Sequence, residues 1–202
     1  MVGHLRNIEE DLAQRVGDGL GLETLPTAPK PAAPVQKLKP SPALQIIGKM
    51  KDTLQGRAIG ILIADGSDGD RIKKIKRAAI EAGATVKIIA PKVGGAKLAG
   101  GSMMSADGQL AGMPSVLFDA VAVILSEGGA KALLLESAAV DFVQDAFGHL
   151  KAIAADEGAK SLLRAANIGK DGGVVSASEE NAFITAAKTR QWNREKSVRV
   201  LA

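Results

Sequence analysis

The densest cluster of reactive side chains runs from Asp65 to Asp70, in the hexapeptide DGSDGD. Three carboxylates on a glycine-punctuated loop suggest a cation, but the spacing does not suit one. The acids stand at relative positions 1, 4 and 6, and the twelfth position holds Lys76, where an EF-hand needs Glu. The loop fits neither a Walker A sequence nor G-x-G-x-x-G, and its carboxylates would repel a phosphate unless a cation intervened. A helix-capping turn suits it better, because Asp68 and Asp70 are favourable at a helix N-terminus. Ile168-Gly169-Lys170-Asp171 lacks the Ser or Thr that a Walker A loop places on magnesium. A receiver domain would end its third strand in a phosphorylatable Asp, whereas the run AVAVIL ends in Ser126. His4 and His149 belong to different elements, so neither a zinc site nor a catalytic triad is expected. His149 reads as the end of an amphipathic helix. The sequence has no Cys, which excludes disulfides and thiolate chemistry and suits a reducing cytoplasm.

The elements that must position such groups are legible around residues 56–91. Ala58 to Ala64 is a short apolar run rich in Ile, the pattern of a strand buried on both faces. After the acidic loop the period changes: Ile72, Ile75, Ala79 and Ile80 lie three to four apart, with Arg71, Lys73, Lys74, Lys76 and Arg77 between them. Gly83 is placed to end this helix. Thr85 to Ala90 is a second apolar run, closed by Pro91. The three together predict a βαβ unit. Farther on, residues 93–113 predict a small hairpin turning at Asp107-Gly108, and 114–119 a helical turn. Ala120 to Leu125 predicts a buried strand, followed by a loop at Ser126-Glu127-Gly128-Gly129. Residues 133–150 predict a helix, 152–155 a strand, 157–166 a helix and 173–175 a last strand. The final helix has residues 181–191 as its body, and Ser176 to Glu179 fit a capping box with Ser176 as the cap. This alternation predicts an α/β fold, an open parallel sheet with helices on both faces. In such a sheet ligands bind past the carboxyl ends of the strands, so the candidate loops are 65–70, 126–129 and 156–158.

Before this sheet the pattern is different. Residues 4–16 predict an amphipathic helix with Leu5, Ile8, Leu12 and Val16 on one stripe. It is broken by Gly17, Gly19 and Gly21 and needs a surface to dock on. Residues 23–43 hold six of the eight prolines and predict an extended strap. The expected organisation is therefore 1–22 helix, 23–55 proline-rich linker and 56–202 α/β domain. No run of 18 apolar residues exists, and residues 1–12 do not resemble a signal peptide. The formal net charge of +4 resides in the last fifteen residues, where Lys188, Arg190, Arg194, Lys196 and Arg199 face Glu195 alone. That pattern predicts a solvated basic end and no nucleic-acid partner.

Three long segments carry a resemblance. They are GRAIGILIADGSDGDRIKKIKRAAIEAGATVKIIAPKVG, ADGQLAGMPSVLFDAVAVILSEGG and DFVQDAFGHLKAIAADEGAKSLL. Together they resemble the C-terminal domain of large-subunit heme catalases. HLRNIEEDLAQRVGDGLGL resembles the end of the catalase helical region, and the proline strap resembles the linker that follows it. The resemblance implies a flavodoxin-like fold related to class I glutamine amidotransferases and PfpI-type hydrolases. Those hydrolases carry a nucleophilic Cys at a strand-to-helix elbow, often followed by His and Gly. Here Asp156, Glu157 and Gly158 stand at that place, so the resemblance implies a degenerate elbow without hydrolase activity. It also implies a heme parent whose proximal Tyr and distal His and Asn lie in an upstream barrel. This sequence has no Tyr, so neither heme nor a metal is expected in the chain. The function implied is a non-catalytic module of a cytoplasmic catalase that supports folding, stability or assembly. Its partners would be the catalase barrel and helical region, in cis or in a tetramer. The alternative is a free-standing pseudo-hydrolase acting as a chaperone or small-ligand binder at the elbow.

Overall fold

The computed structural model describes residues 1–198, in two compact units. One comprises Met1–Lys49 together with the described residues from Lys196 onward, and the other Met50–Glu195. Arg199 of the basic tail lies outside the described residues. Among the described residues, no helix is long and apolar enough to cross a membrane.

In the first unit the expected single helix is two: α1 (Val2–Leu5) and α2 (Glu10–Gly19). Gly17 and Gly19 do not break α2 but lie within it, and Gly21, at φ +67°, follows its end. The buried face is Ala13 and Gly17, while Ile8 and Leu12 of the predicted stripe are exposed. The cause is the strap. Leu25 packs so closely on Gly17 that a Cβ there would collide with it. Asn7 Nδ2 donates to the Pro29 carbonyl at 2.8 Å, and Arg6 donates to the Pro26 carbonyl at 3.1 Å. The start of the proline segment thus covers the helices that precede it.

The second unit begins with β1 (Ala58–Ile63), α3 (Gly69–Glu81) and β2 (Thr85–Ala90), the predicted βαβ unit. Asp68 caps α3, accepting from the amides of Asp70 (3.0 Å) and Arg71 (3.1 Å). Gly83, at φ +95°, follows the helix and donates to Ile80. The glycine-rich stretch departs from expectation. Its hairpin is β3 (Ala96–Lys97) with β4 (Met103–Met104). Asp107-Gly108 is not its turn. Gly108 begins β5 (Gly108–Gln109), which pairs parallel with β2, and the Asp107 carboxylate accepts from the Ile88 amide at 2.7 Å. Two 3-10 turns, Leu110–Gly112 and Ser115–Leu117, lead to β6 (Ala120–Ile124).

Ser126 to Gly129 is not a loop, because Ser126 caps α4 (Glu127–Leu133). A break at 134–136 separates it from α5 (Ser137–Gly148), so the predicted helix over 133–150 starts four residues late and ends two early. Then come β7 (Ala152–Ala155), α6 (Lys160–Ala165), β8 (Val174–Ser176) and α7 (Glu180–Ala187), and α8 (Glu195–Val198) starts at the last residue of this unit. The predicted capping box does not form. Ser176 lies in β8, its hydroxyl is 2.7 Å from that of Ser178, and α7 starts at Glu180 without a side-chain cap.

The six strands form one parallel sheet in the order β5-β2-β1-β6-β7-β8. Alternate side chains feed two cores. Ile59, Ile61 and Ile63 join Ile72, Ile75 and Phe183 from α3 and α7. Leu62, Val121 and Val123 join Phe142, Val143 and Leu162 from α5 and α6. Burying each such side chain contributes roughly 1.5 to 3 kcal/mol, which explains runs without a polar residue. Gly60 occupies the one place in β1 where the Phe118 ring crosses, and a Cβ there would stand 2.7 Å from that ring.

Three cations of the basic end are paired, where its composition predicts solvation, while Lys196 is exposed. Arg190 pairs with Asp119 at 3.3 Å, Lys188 with Asp52 at 3.0 Å and Arg194 with Asp171 at 2.5 Å.

Candidate functional site

The order of the strands brings the three candidate loops together. From β1 the chain passes to β2 on one side, and later to β6 and β7 on the other. The crevice between β1 and β6 is thus the point where strand order reverses, and such points favour ligand binding. The loops after β1, β6 and β7 are the segments from Asp65, Ser126 and Asp156.

In the first loop the three carboxylates point to three different partners. Asp65 accepts from the Lys97 amide at 2.8 Å, which ties the loop to the hairpin of β3 and β4. Asp68 is the α3 cap, and the Arg71 amide foremost, with the Asp70 amide, holds its carboxyl below the usual range against the opposing effect of burial. Asp70 is exposed and lies 3.4 Å from Lys73 Nζ. Ser67, which sequence reasoning passed over, is fully buried. Its hydroxyl accepts from the Ala64 amide and lies 2.6 Å from the Ile124 carbonyl, stitching the end of β1 to that of β6. Ser126 adds a second stitch, donating to the Asp65 carbonyl at 2.8 Å while it accepts from Gly129 at 2.9 Å.

Asp156 follows β7 directly and is half-buried. Its carboxylate accepts from the Leu125 amide at 3.1 Å and the Ala159 amide at 3.1 Å, joining the end of β6 to the turn before α6. Burial pushes its pKa upward, and the two amide bonds oppose that shift. Glu157 is exposed and pairs with Lys160 at 2.5 Å. Gly158 lies against the Leu125 carbonyl and the Ser126 backbone, so closely that a Cβ would collide with both. A nucleophile elbow holds its reactive residue in a strained turn. Here Asp156 has no such strain: among the described residues, the non-glycine positions with positive φ are Leu150 and Asn167. The carboxylate acts as a local cross-brace, and using it in chemistry would cost both amide bonds.

Two clefts adjoin these loops. One of about 350 Å³ lies over the switch point and is lined by Asp65, Ser126, Gly129 and Glu136 among others. The other, of about 640 Å³, runs from Asp156 and Glu157 along α6 to β8. The histidines join neither. His149 closes α5, with Nδ1 2.7 Å from the Asp145 carbonyl oxygen, and His4 is exposed in the other unit.

Residues 55–191 match the family model of the C-terminal domain found in long catalases. Catalase C of Rhizobium meliloti (strain 1021) is 42% identical over 210 residues, covering 99% of this chain and 29% of that protein. Catalase HPII of Pseudomonas aeruginosa is 30% identical over 202 residues, covering 98% of this chain and 28% of that one. The chain therefore spans less than a third of the length of these curated relatives. Among solved structures, oxidised DJ-1 of Toxoplasma gondii is similar with a TM-score of 0.54 at 15% identity, over 71% of this chain and 96% of that one. This likeness is one of fold, and it agrees with a flavodoxin-like sheet.

Proposed function

Because the chain belongs to the family of C-terminal domains found in long catalases, we propose that it is the non-catalytic C-terminal module of such an enzyme. On this reading it supports folding, stability or assembly of the part that converts hydrogen peroxide to water and oxygen. It would do so in contact with the catalase barrel and helical region, in cis or within a cytoplasmic tetramer. The observation that carries the reading is Asp156. The one place where this fold offers a nucleophile holds a carboxylate committed to the Leu125 and Ala159 amides. On this reading heme belongs to the upstream barrel. The sequence has no Tyr, and the two histidines are exposed in separate units.

The test replaces the matching stretch of Catalase C from Rhizobium meliloti with this chain, beside a version with that stretch deleted. The deleted enzyme is expected to melt earlier and assemble poorly, and the replaced one to recover. Equal melting and assembly in all three would overturn the reading. In parallel, hemin added to the isolated chain should give no stoichiometric Soret shift, and Asp156→Ala in the replaced enzyme should leave peroxide turnover unchanged.

A further inference from the structure

The 640 Å³ cleft along β8 lies within the volume range of small-molecule sites. Its apolar wall is Leu163, Ile168, Val174 and Val175. Ile168 is brought there by the end of α6. Asn167 takes a left-handed conformation at φ +53°, and the Ile168 amide then bonds back to the Leu163 carbonyl at 2.9 Å. Its rim is charged, but the charges are not equally committed. Asp156 is bound by two amides and Glu157 by Lys160. Among the described residues, Arg164 and Lys170 have no carboxylate partner, and Arg164 makes only a 3.4 Å bond to the Lys160 carbonyl. Lys170 sits on a braced loop. Its neighbour Asp171 is clamped by the buried Arg194 at 2.5 and 2.8 Å and accepts from Gly173 at 2.8 Å.

We propose that this cleft binds a small organic anion with an apolar body, its charged group held between Arg164 and Lys170 and its body on Leu163, Ile168 and Val175. The inference is independent of the role in a catalase. Two uncommitted cations above an apolar wall are complementary to such a molecule. An extended peptide is a poor fit, because the adjoining sheet edge, β8, is three residues long.

The probe is 8-anilinonaphthalene-1-sulfonate, titrated into the full chain by fluorescence and by amide chemical-shift mapping. Saturable binding is expected, with shifts centred on Leu163, Ile168 and Val175. Octanoate should displace the probe, whereas octanol should not. The double variant Arg164→Gln, Lys170→Gln alters only exposed side chains and should weaken binding by about tenfold or more. Shifts confined to residues 1–49, equal displacement by octanol, or undiminished affinity in a folded double variant would each overturn the proposal. The displacement experiment needs no variant and decides on its own.

Discussion

Arg194 is 4% exposed and spends its guanidinium on Asp171, the Phe147 carbonyl at 3.1 Å and the Lys151 carbonyl at 2.9 Å, stacked 4.0 Å from the Phe147 ring. Burial draws the Asp171 carboxyl upward, but Arg194 and the Gly173 and Val174 amides outweigh it and hold it below its usual range. Asp171→Ala would remove the carboxylate that clamps the buried Arg194 and is expected to cost about 3 kcal/mol in urea unfolding. The double variant Asp171→Ala, Arg194→Met should lose less than the sum of the single changes. Lys151 poses the opposite problem. It is 3% exposed, its ammonium donates to the Ser115 carbonyl at 2.7 Å, and burial, aided by Arg190, pushes its pKa down to about 8. The unfolded chain keeps that proton until about pH 10.5, so between the two values it binds more protons than the folded one. Stability should therefore rise with pH from about 8 to about 10.5, by up to roughly 3 kcal/mol. Below pH 8 this group should contribute no slope. Denaturation followed through Trp192, the sole tryptophan, checks this, and Lys151→Met should flatten the rise.

At the scale of elements, Gly158 is the contact on which two loops depend. Gly158→Ala drives a methyl into the Leu125 carbonyl, and a loss of about 2 to 3 kcal/mol is expected by the same unfolding assay. Gly169→Ala has nothing within 4 Å and should be neutral by comparison. Elements whose pattern is dictated by burial were legible in the sequence. The β2 run coincides with Thr85–Ala90, and β1 ends one residue before the predicted limit. Elements set by distant contacts were not. The two-residue strands β3, β4 and β5 have too little length for any period to show. Gly128-Gly129 signals a loop locally, yet the Ser126 cap and the packing of Ala130 and Leu133 hold it in α4. The alternation of elements already marked 156–158 as a candidate loop, but the bracing role of Asp156 was not legible, since one of its partners, Leu125, lies thirty-one residues away. The cleft was still less visible. Arg164 and Lys170 look like ordinary surface cations until β8 and α6 place them on one rim.

For the whole molecule, the two units differ in what they leave to solvent. In the first, Leu20, Leu38, Leu44, Ile46 and Ile47 are all more than half exposed. Such a surface fits association with another protein region, and few backbone hydrogen bonds hold residues 30–49. Amides there should exchange rapidly, while those of Ala58–Ile63 and Ala120–Ile124 should be strongly protected. Removing residues 1–49 should shift the melting temperature of the second unit by no more than about 2 °C. The same deletion should reduce self-association in sedimentation velocity. A large fall in melting temperature would show that the strap and its helices belong to the core of the sheet domain.

The sheet itself ends in β5, two residues long, and β8, three residues long. A strand this short offers too few unpaired amides and carbonyls to template a neighbour. Fibril growth through stacked sheets is thereby denied a starting surface at both borders. Copies held close together, as in any oligomer, can crowd without polymerising edge to edge, and whatever sticking occurs must run through side chains rather than backbone.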